Sequence, residues 1–144
     1  MAKIKISSIL EEKGSTIHSI TPQASVFEAL TLMAEVNVGA LVVMENDRIA
    51  GIISERDYAR KVVLAGKTSL ETKVSDIMSS NVISTTPEQT VDDAMAVMTN
   101  SGIRHLPVVQ QDQLIGLVSI GDLVKAVISS QKIIIEQLES YIKG

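Results

Sequence analysis

The sequence predicts an α+β fold in which one β-α-β-β-α unit occurs twice. Three observations carry this. Thr21-Pro22 recurs as Thr86-Pro87, 65 positions on. Gly51-Ile52-Ile53-Ser54-x-x-Asp57 recurs as Gly116-Leu117-Val118-Ser119-x-x-Asp122 at the same offset, with no gap needed between. Over the 40 paired positions 21–60 and 86–125, 11 are identical: Thr21, Pro22, Val26, Ala29, Met33, Leu41, Val43, Asp47, Gly51, Ser54 and Asp57 with their partners.

Each copy opens on an extended entry, Thr16 to Ile20 and Asn81 to Thr85, which Thr-Pro then breaks. A helix follows. Ser25 with Glu28, and Thr90 with Asp93, have the spacing of an N-cap and its acidic partner. Val26, Ala29, Leu30 and Met33 fall at i, i+3, i+4 and i+7, one buried stripe, and Val91, Ala94, Met95 and Met98 repeat it. Ala40 to Met44 is too apolar for a half-wet strand and reads as buried on both faces. Asn46-Asp47 turns the chain, and Ile49 to Ile53 returns. The second copy has Leu106 to Val109, a turn at Gln111-Asp112, and Leu114 to Val118. A second helix starts after Ser54 or Ser119; in the first copy it ends near Gly66, a C-terminal cap.

Outside the match, Ile6-Ser7-Ser8-Ile9-Leu10 echoes Val74-Ser75-Asp76-Ile77-Met78. The offset there is 68, so the first copy carries three extra residues between Glu11 and Ser15. Residues 66–73 form a polar linker. These boundaries predict repeats at 6–66 and 74–130, and a helical extension at 131–144 that carries Ile133-Ile134-Ile135, Leu138, Tyr141 and Ile142. Apolar residues on more than one face of that helix point to association or to packing back on its own domain.

Two copies sharing a core suit 144 residues, because one copy alone buries too little surface for comfortable stability. Net charge of −4 gives no electrostatic case for nucleic acid or an anionic membrane. Phe27, Tyr58 and Tyr141 are the whole aromatic complement, too few for a base-stacking platform. Without cysteine there is no thiol catalysis, disulfide or thiolate metal site. No apolar run reaches the roughly 18–20 residues that span a bilayer, and Met1 to Lys5 opens no signal-peptide stretch, so a cytoplasmic protein is expected.

Chemistry concentrates where strand turns to helix. Ser54-Glu55-Arg56-Asp57 and Ser119-Ile120-Gly121-Asp122 have capping-box spacing. The same geometry serves a ligand: free N–H groups at a helix start favour an anion, and a carboxylate there accepts hydrogen bonds from ribose hydroxyls. A serine can cap and still face a ligand. Gly102-Ile103-Arg104-His105 places two cationic groups at a loop-to-strand junction, either a phosphate contact or a solvated arginine beside a structural histidine. The first copy has Asn37-Val38-Gly39-Ala40 there. Arg56 is replaced by Gly121 in the second copy. His18 reads as a loop residue. No metal-ligand spacing, nucleophile–base pattern or Walker-type loop is present, so no catalytic machinery is expected.

The doubled unit, with Val74-Ser75-Asp76-Ile77-Met78, Thr86-Pro87, His105-Leu106-Pro107-Val108-Val109 and Gly116-Leu117-Val118-Ser119-Ile120-Gly121-Asp122, resembles a cystathionine-β-synthase (CBS) domain pair. The likeness runs over residues 6–130. The variant Ser54-Glu55-Arg56-Asp57-Tyr58 is similar to stand-alone bacterial CBS pairs. The resemblance implies two repeats packed sheet to sheet about a pseudo-two-fold axis, a Bateman module. It implies clefts for AMP, ADP, ATP, NAD(H) or S-adenosylmethionine, AMP foremost, with no cofactor required.

It puts the ribose on Asp57 and Asp122, and Ser54 and Ser119 on the phosphate or ribose side. Val38, Gly39 and Ala40, and Ile103, Arg104 and His105, line the clefts; Ile17, Ser80 and Val82 reach the base. Clefts shared between repeats set Asp57 and Arg56 against Ile103-Arg104-His105, and Asp122 against Val38-Gly39-Ala40, which makes the Asp57 cleft the better nucleotide site. The resulting expectation is a regulatory homodimer that signals to an effector protein. The alternative is a structural dimerisation module with vestigial clefts.

Overall fold

A computed structural model describes residues 3–14 and 16–143. Met1, Ala2, Ser15 and Gly144 lie outside the described residues, and with them the start of the N-terminal segment, the last residue of the insertion and the end of the helical extension. The elements run α1 (Ile6–Lys13), β1 (Ser19–Ile20), α2 (Val26–Val36), β2 (Ala40–Glu45), β3 (Arg48–Ser54), α3 (Glu55–Tyr58), a π-helical turn (Ala59–Val63), α4 (Val74–Ile77), α5 (Val91–Ser101), β4 (His105–Gln110), β5 (Gln113–Ser119) and α6 (Ile120–Lys143). The mixed α+β architecture and the repeated unit follow the sequence pattern.

The helix starts behave as their caps require. Ser25 Oγ accepts from the Glu28 N–H at 3.0 Å. Thr90 and Asp93 complete a reciprocal capping box. Both helices end on a left-handed residue, Asn37 or Gly102, the usual helix-terminating conformation. The hairpins turn through Asn46-Asp47 and Gln111-Asp112, all four at positive φ, the two-residue turn whose twist matches its strands. Both hairpins carry a bulge at the same place, Val43/Met44 and Val108/Val109. The entry strands are shorter than their sequences suggest. β1 keeps two residues, parallel to β2, and its counterpart in the second copy is a single parallel bridge, Thr85 to Val108.

The chain forms two compact units, Ile17–Ile83 and the segment from Ser84 onward together with the one that ends at Thr16. Each unit is therefore closed by the helix that leads the other sequence repeat. In the first, α4 folds back: the Val74 N–H donates to Ala24 O at 2.9 Å and the Ser75 N–H to Pro22 O at 3.0 Å. In the second, α1 does the same: the Ile6 N–H donates to Gln89 O at 2.9 Å and the Ser7 N–H to Pro87 O at 3.0 Å.

The cores match at eight paired positions, while Val62 and Leu123 are buried opposite the only partly covered Val127 and Tyr58. Val74 and Ile77 close a cluster with Val26, Ala29, Met33, Leu41, Val43 and Ile53. Ile6 and Ile9 are buried as are Val91, Ala94, Met98, Leu106, Val108 and Val118.

This packing explains the repeated strand glycine. A Cβ on Gly51 would stand 2.7 Å from Ser79 O and 2.8 Å from Met78 Sδ; on Gly116 it would stand 2.6 Å from Leu10 Cδ2. Met78 and Leu10 are paired by the offset of 68, so both leading segments cross their strand over the one residue without a side chain. Gly51→Ala meets backbone and is expected to cost about 1–3 kcal/mol. Gly116→Ala meets the end of a leucine side chain that can turn away, so the loss should be smaller. Urea midpoints of the two variants test this, and equal losses would contradict it.

Candidate functional site

Each hairpin delivers its second strand directly into the Ser-x-x-Asp turn. β3 ends at Ser54 and α3 begins at Glu55; β5 ends at Ser119 and α6 begins at Ile120. The Ser54 N–H donates to Asp57 Oδ2 at 2.9 Å, Ser54 Oγ donates to the same oxygen at 3.1 Å, and the Asp57 N–H donates to Ser54 Oγ at 3.2 Å. The second copy repeats the exchange, with the Ser119 N–H to Asp122 Oδ2 at 2.8 Å and the Asp122 N–H to Ser119 Oγ at 3.1 Å. The capping function is therefore realised in both turns, and it fixes both carboxylates at the surface of a half-buried step.

Antiparallel register then decides what stands beside each turn. Ala40 pairs with Ser54, and His105 with Ser119. The Glu55 N–H donates to Gly39 O at 3.0 Å, and the Ile120 N–H to Arg104 O at 2.9 Å. Val38-Gly39-Ala40 thus adjoins the turn of Asp57, and Ile103-Arg104-His105 adjoins the turn of Asp122. This adjacency within each repeat adds to the expectation that set Asp57 against Arg104-His105 and Asp122 against Gly39-Ala40. A two-residue hairpin brings the start of its first strand beside the end of its second, so the residues before the strand belong to the turn of their own repeat.

The first unit holds a cleft of about 380 Å³ lined by Leu30, Met33, Ala34 and Asn37 of α2, by Val38 and Gly39, and by Glu55. Its size falls in the roughly 300–1,000 Å³ range of small-molecule sites. Glu55 Oε1 would lie 3.3 Å from a Cβ on Gly39, so a carboxylate covers the glycine. Sixty-five positions on, Gly39 becomes Arg104 and Glu55 becomes Ile120. The same two positions therefore carry a negative charge in one repeat and a positive one in the other.

Of the remaining predicted residues, Arg56 is exposed beside Asp57. Ser80 follows the bridge that ties Ser79 to Ile52 on β3. Ile17 lies two positions before β1, and Val82 belongs to the same compact unit.

Two lysines escaped sequence reasoning. Lys61 Nζ lies 3.2 Å from Asp57 Oδ1, and Lys13 Nζ lies 2.7 Å from Asp122 Oδ2. The i,i+4 spacing could have revealed the first. Nothing local could have revealed the second, which comes from α1, 109 positions away. Burial pushes the Asp122 carboxyl up, but the hydrogen bond and charge of Lys13, with the Ser119 hydrogen bonds, more than offset it and hold the group below its ordinary value.

A family model for the CBS domain matches residues 14–64 and 74–129. The chain belongs to the CBS-domain family. It is 42% identical over 148 residues to the CBS domain-containing protein CBSX3, mitochondrial, of Arabidopsis thaliana, covering 96% of this chain and 72% of that one. It is 34% identical over 118 residues to the CBS domain-containing protein YhcV of Bacillus subtilis, covering 82% and 84%. A solved protein with CBS domains from Burkholderia ambifaria superposes with a TM-score of 0.85 at 48% identity, covering 88% of this chain and 96% of that one.

The two repeats fold as a Bateman module does. CBS-domain proteins are in general regulatory modules, often oligomeric, that commonly bind adenosine ligands, and CBS-only chains are generally non-catalytic. Among the described residues, no helix is long and apolar enough to cross a membrane, and no group of three His, Cys, Asp or Glu could hold a metal ion.

Proposed function

We propose that this CBS pair is a non-catalytic sensor of adenosine-containing nucleotides, AMP foremost, and that the Asp122 turn is its principal site. The observation that carries this is the charge inversion on a repeated scaffold. Both turns keep a carboxylate that can accept the two hydroxyls of a ribose. Only the second also has Arg104 and His105 at the strand start, with Ile120 in place of Glu55.

A phosphate beside Arg104 gains charge-assisted hydrogen bonds. A phosphate beside Gly39 would meet the Glu55 carboxylate. One arginine with a neighbouring histidine matches a single phosphate, which favours AMP over the di- and triphosphates. ADP, ATP, NAD(H) and S-adenosylmethionine remain the comparison ligands. The first cleft, with its carboxylate and apolar lining, suits a ligand without phosphate.

Isothermal titration with AMP checks this. Asp122→Ala should weaken the tightest site at least ten-fold, because hydrogen bonds to a charged group contribute about 1.5–3 kcal/mol, while Asp57→Ala should leave it within about two-fold. The reverse order would refute the assignment, and no heat at millimolar AMP would refute the sensor.

The outer face of α6 supports a homodimer. Ile128, Ile135 and Ile142 recur every seven residues and Leu138 lies between the last two; all four are more than half exposed. Such a stripe on a helix is a seam for another helix. Sedimentation equilibrium should find a dimer that Ile135→Glu dissociates; a monomeric wild type would rule the seam out. A module that only dimerises would show the same dimer without nucleotide heat. An effector protein, reading the ligand-dependent state, would be the further partner.

A further inference from the structure

Each motif carboxylate is held by a lysine, and the two lysines come from unrelated positions. Lys61 follows Asp57 by one helical turn and also donates to the carbonyl of Ile77, the last residue of α4, at 2.9 Å. Sixty-five positions on stands Ala126, so the second repeat has no lysine there. Lys13 is the last residue of α1; it reaches Asp122 and donates to Leu117 O on β5 at 2.8 Å. It falls within the three extra residues of the first copy and so has no counterpart after α4. The three extra residues fall where α1 runs to eight residues and α4 stops at four, and this added length carries a lysine to the second turn.

The same three-way contact of carboxylate, ammonium and leading helix is thus built twice from non-equivalent residues. Duplication does not account for a lysine that changes its place in the chain. Shared use of the contact does.

We propose that Lys13 is a latch, with Lys61 its counterpart: it holds the end of the leading helix against the turn while the carboxylate is unliganded, and a ribose diol arriving at Asp122 displaces it. This rests on the nucleotide reading above and adds how occupancy leaves the site. The Lys13 side chain is 40% exposed, and ion pairs that open to water are weak enough for a ligand to break. The rest of α1 has other anchors: Ile6 and Ile9 are buried and Leu10 lies on Gly116. Release is therefore confined to the last turn, Glu11 to Lys13. Linkage is reciprocal. If the ligand opens the latch, removing the latch must tighten the ligand.

The test combines AMP titration with hydrogen exchange over residues 10–14 of the full chain. AMP should speed exchange there in the wild type. Lys13→Met should exchange fast without AMP and bind AMP about two- to five-fold more tightly, whereas a lysine that only stabilised the fold would leave affinity unchanged or lower it. Lys13→Arg should restore wild-type behaviour. Asp122→Asn should loosen the same amides yet lose AMP, which separates the latch from the site. If AMP binds but exchange is unmoved and Lys13→Met binds no tighter, the latch is overturned and the sensor stands. If AMP does not bind at all, both fall.

Discussion

The close crossing of a leading segment over a strand glycine is the constraint on which the rest of this structure depends. Met78 and Ser79 lie against Gly51, and Leu10 against Gly116. Because the strand leaves room there, α4 can drop Val74 and Ile77 into the core around Met33 and Leu41, and α1 can supply Ile6 and Ile9 at the corresponding positions around Met98 and Leu106. A CBS repeat cut at its sequence boundaries would lack part of its core. Each compact unit is completed by a segment that sequence order assigns to the other copy.

The same crossing positions the chemistry. β3 and β5 run from their glycines into Ser54 and Ser119, and the capping exchange with Asp57 and Asp122 sets each carboxylate at the start of a helix. The scaffold around that carboxylate is conserved between copies, while its charge is not. Arg104 against Gly39 and Ile120 against Glu55 turn one geometry into two electrostatic environments. Such divergence is what the proposed preference for one phosphorylated ligand at the second turn requires. The leading helices end beside these carboxylates, so the elements that complete the cores are also those best placed to register what the carboxylates hold.

Much of this was legible in the sequence because duplication doubles every signal. Strand, turn and helix positions emerged from periodicity and from Thr-Pro, Asn-Asp and Gly punctuation, and most element ends differ from those expectations by a residue or so. The short entry strand was overestimated: an extended apolar stretch such as Asn81 to Thr85 does not reveal how few of its residues find a partner. Hairpin register was the more costly omission. Local pattern identified Arg104-His105 and Asp122 as candidates, but only the pairing of His105 with Ser119 shows that they belong to one turn. Lys13 was invisible for a related reason, since its contact with Asp122 depends on where α1 docks. The one trace it left was a three-residue insertion with no evident purpose.

In the proposed mechanism a ribose on Asp122 replaces Lys13 while its phosphate meets Arg104 and His105. A crystal structure of the protein grown with AMP tests this most directly. AMP should lie on the Asp122 turn, with both ribose hydroxyls on the carboxylate, the phosphate within hydrogen-bond reach of Arg104, and Lys13 Nζ withdrawn from the 2.7 Å contact it otherwise makes. AMP bound away from Asp122, or bound there with the Lys13 contact intact, would contradict it.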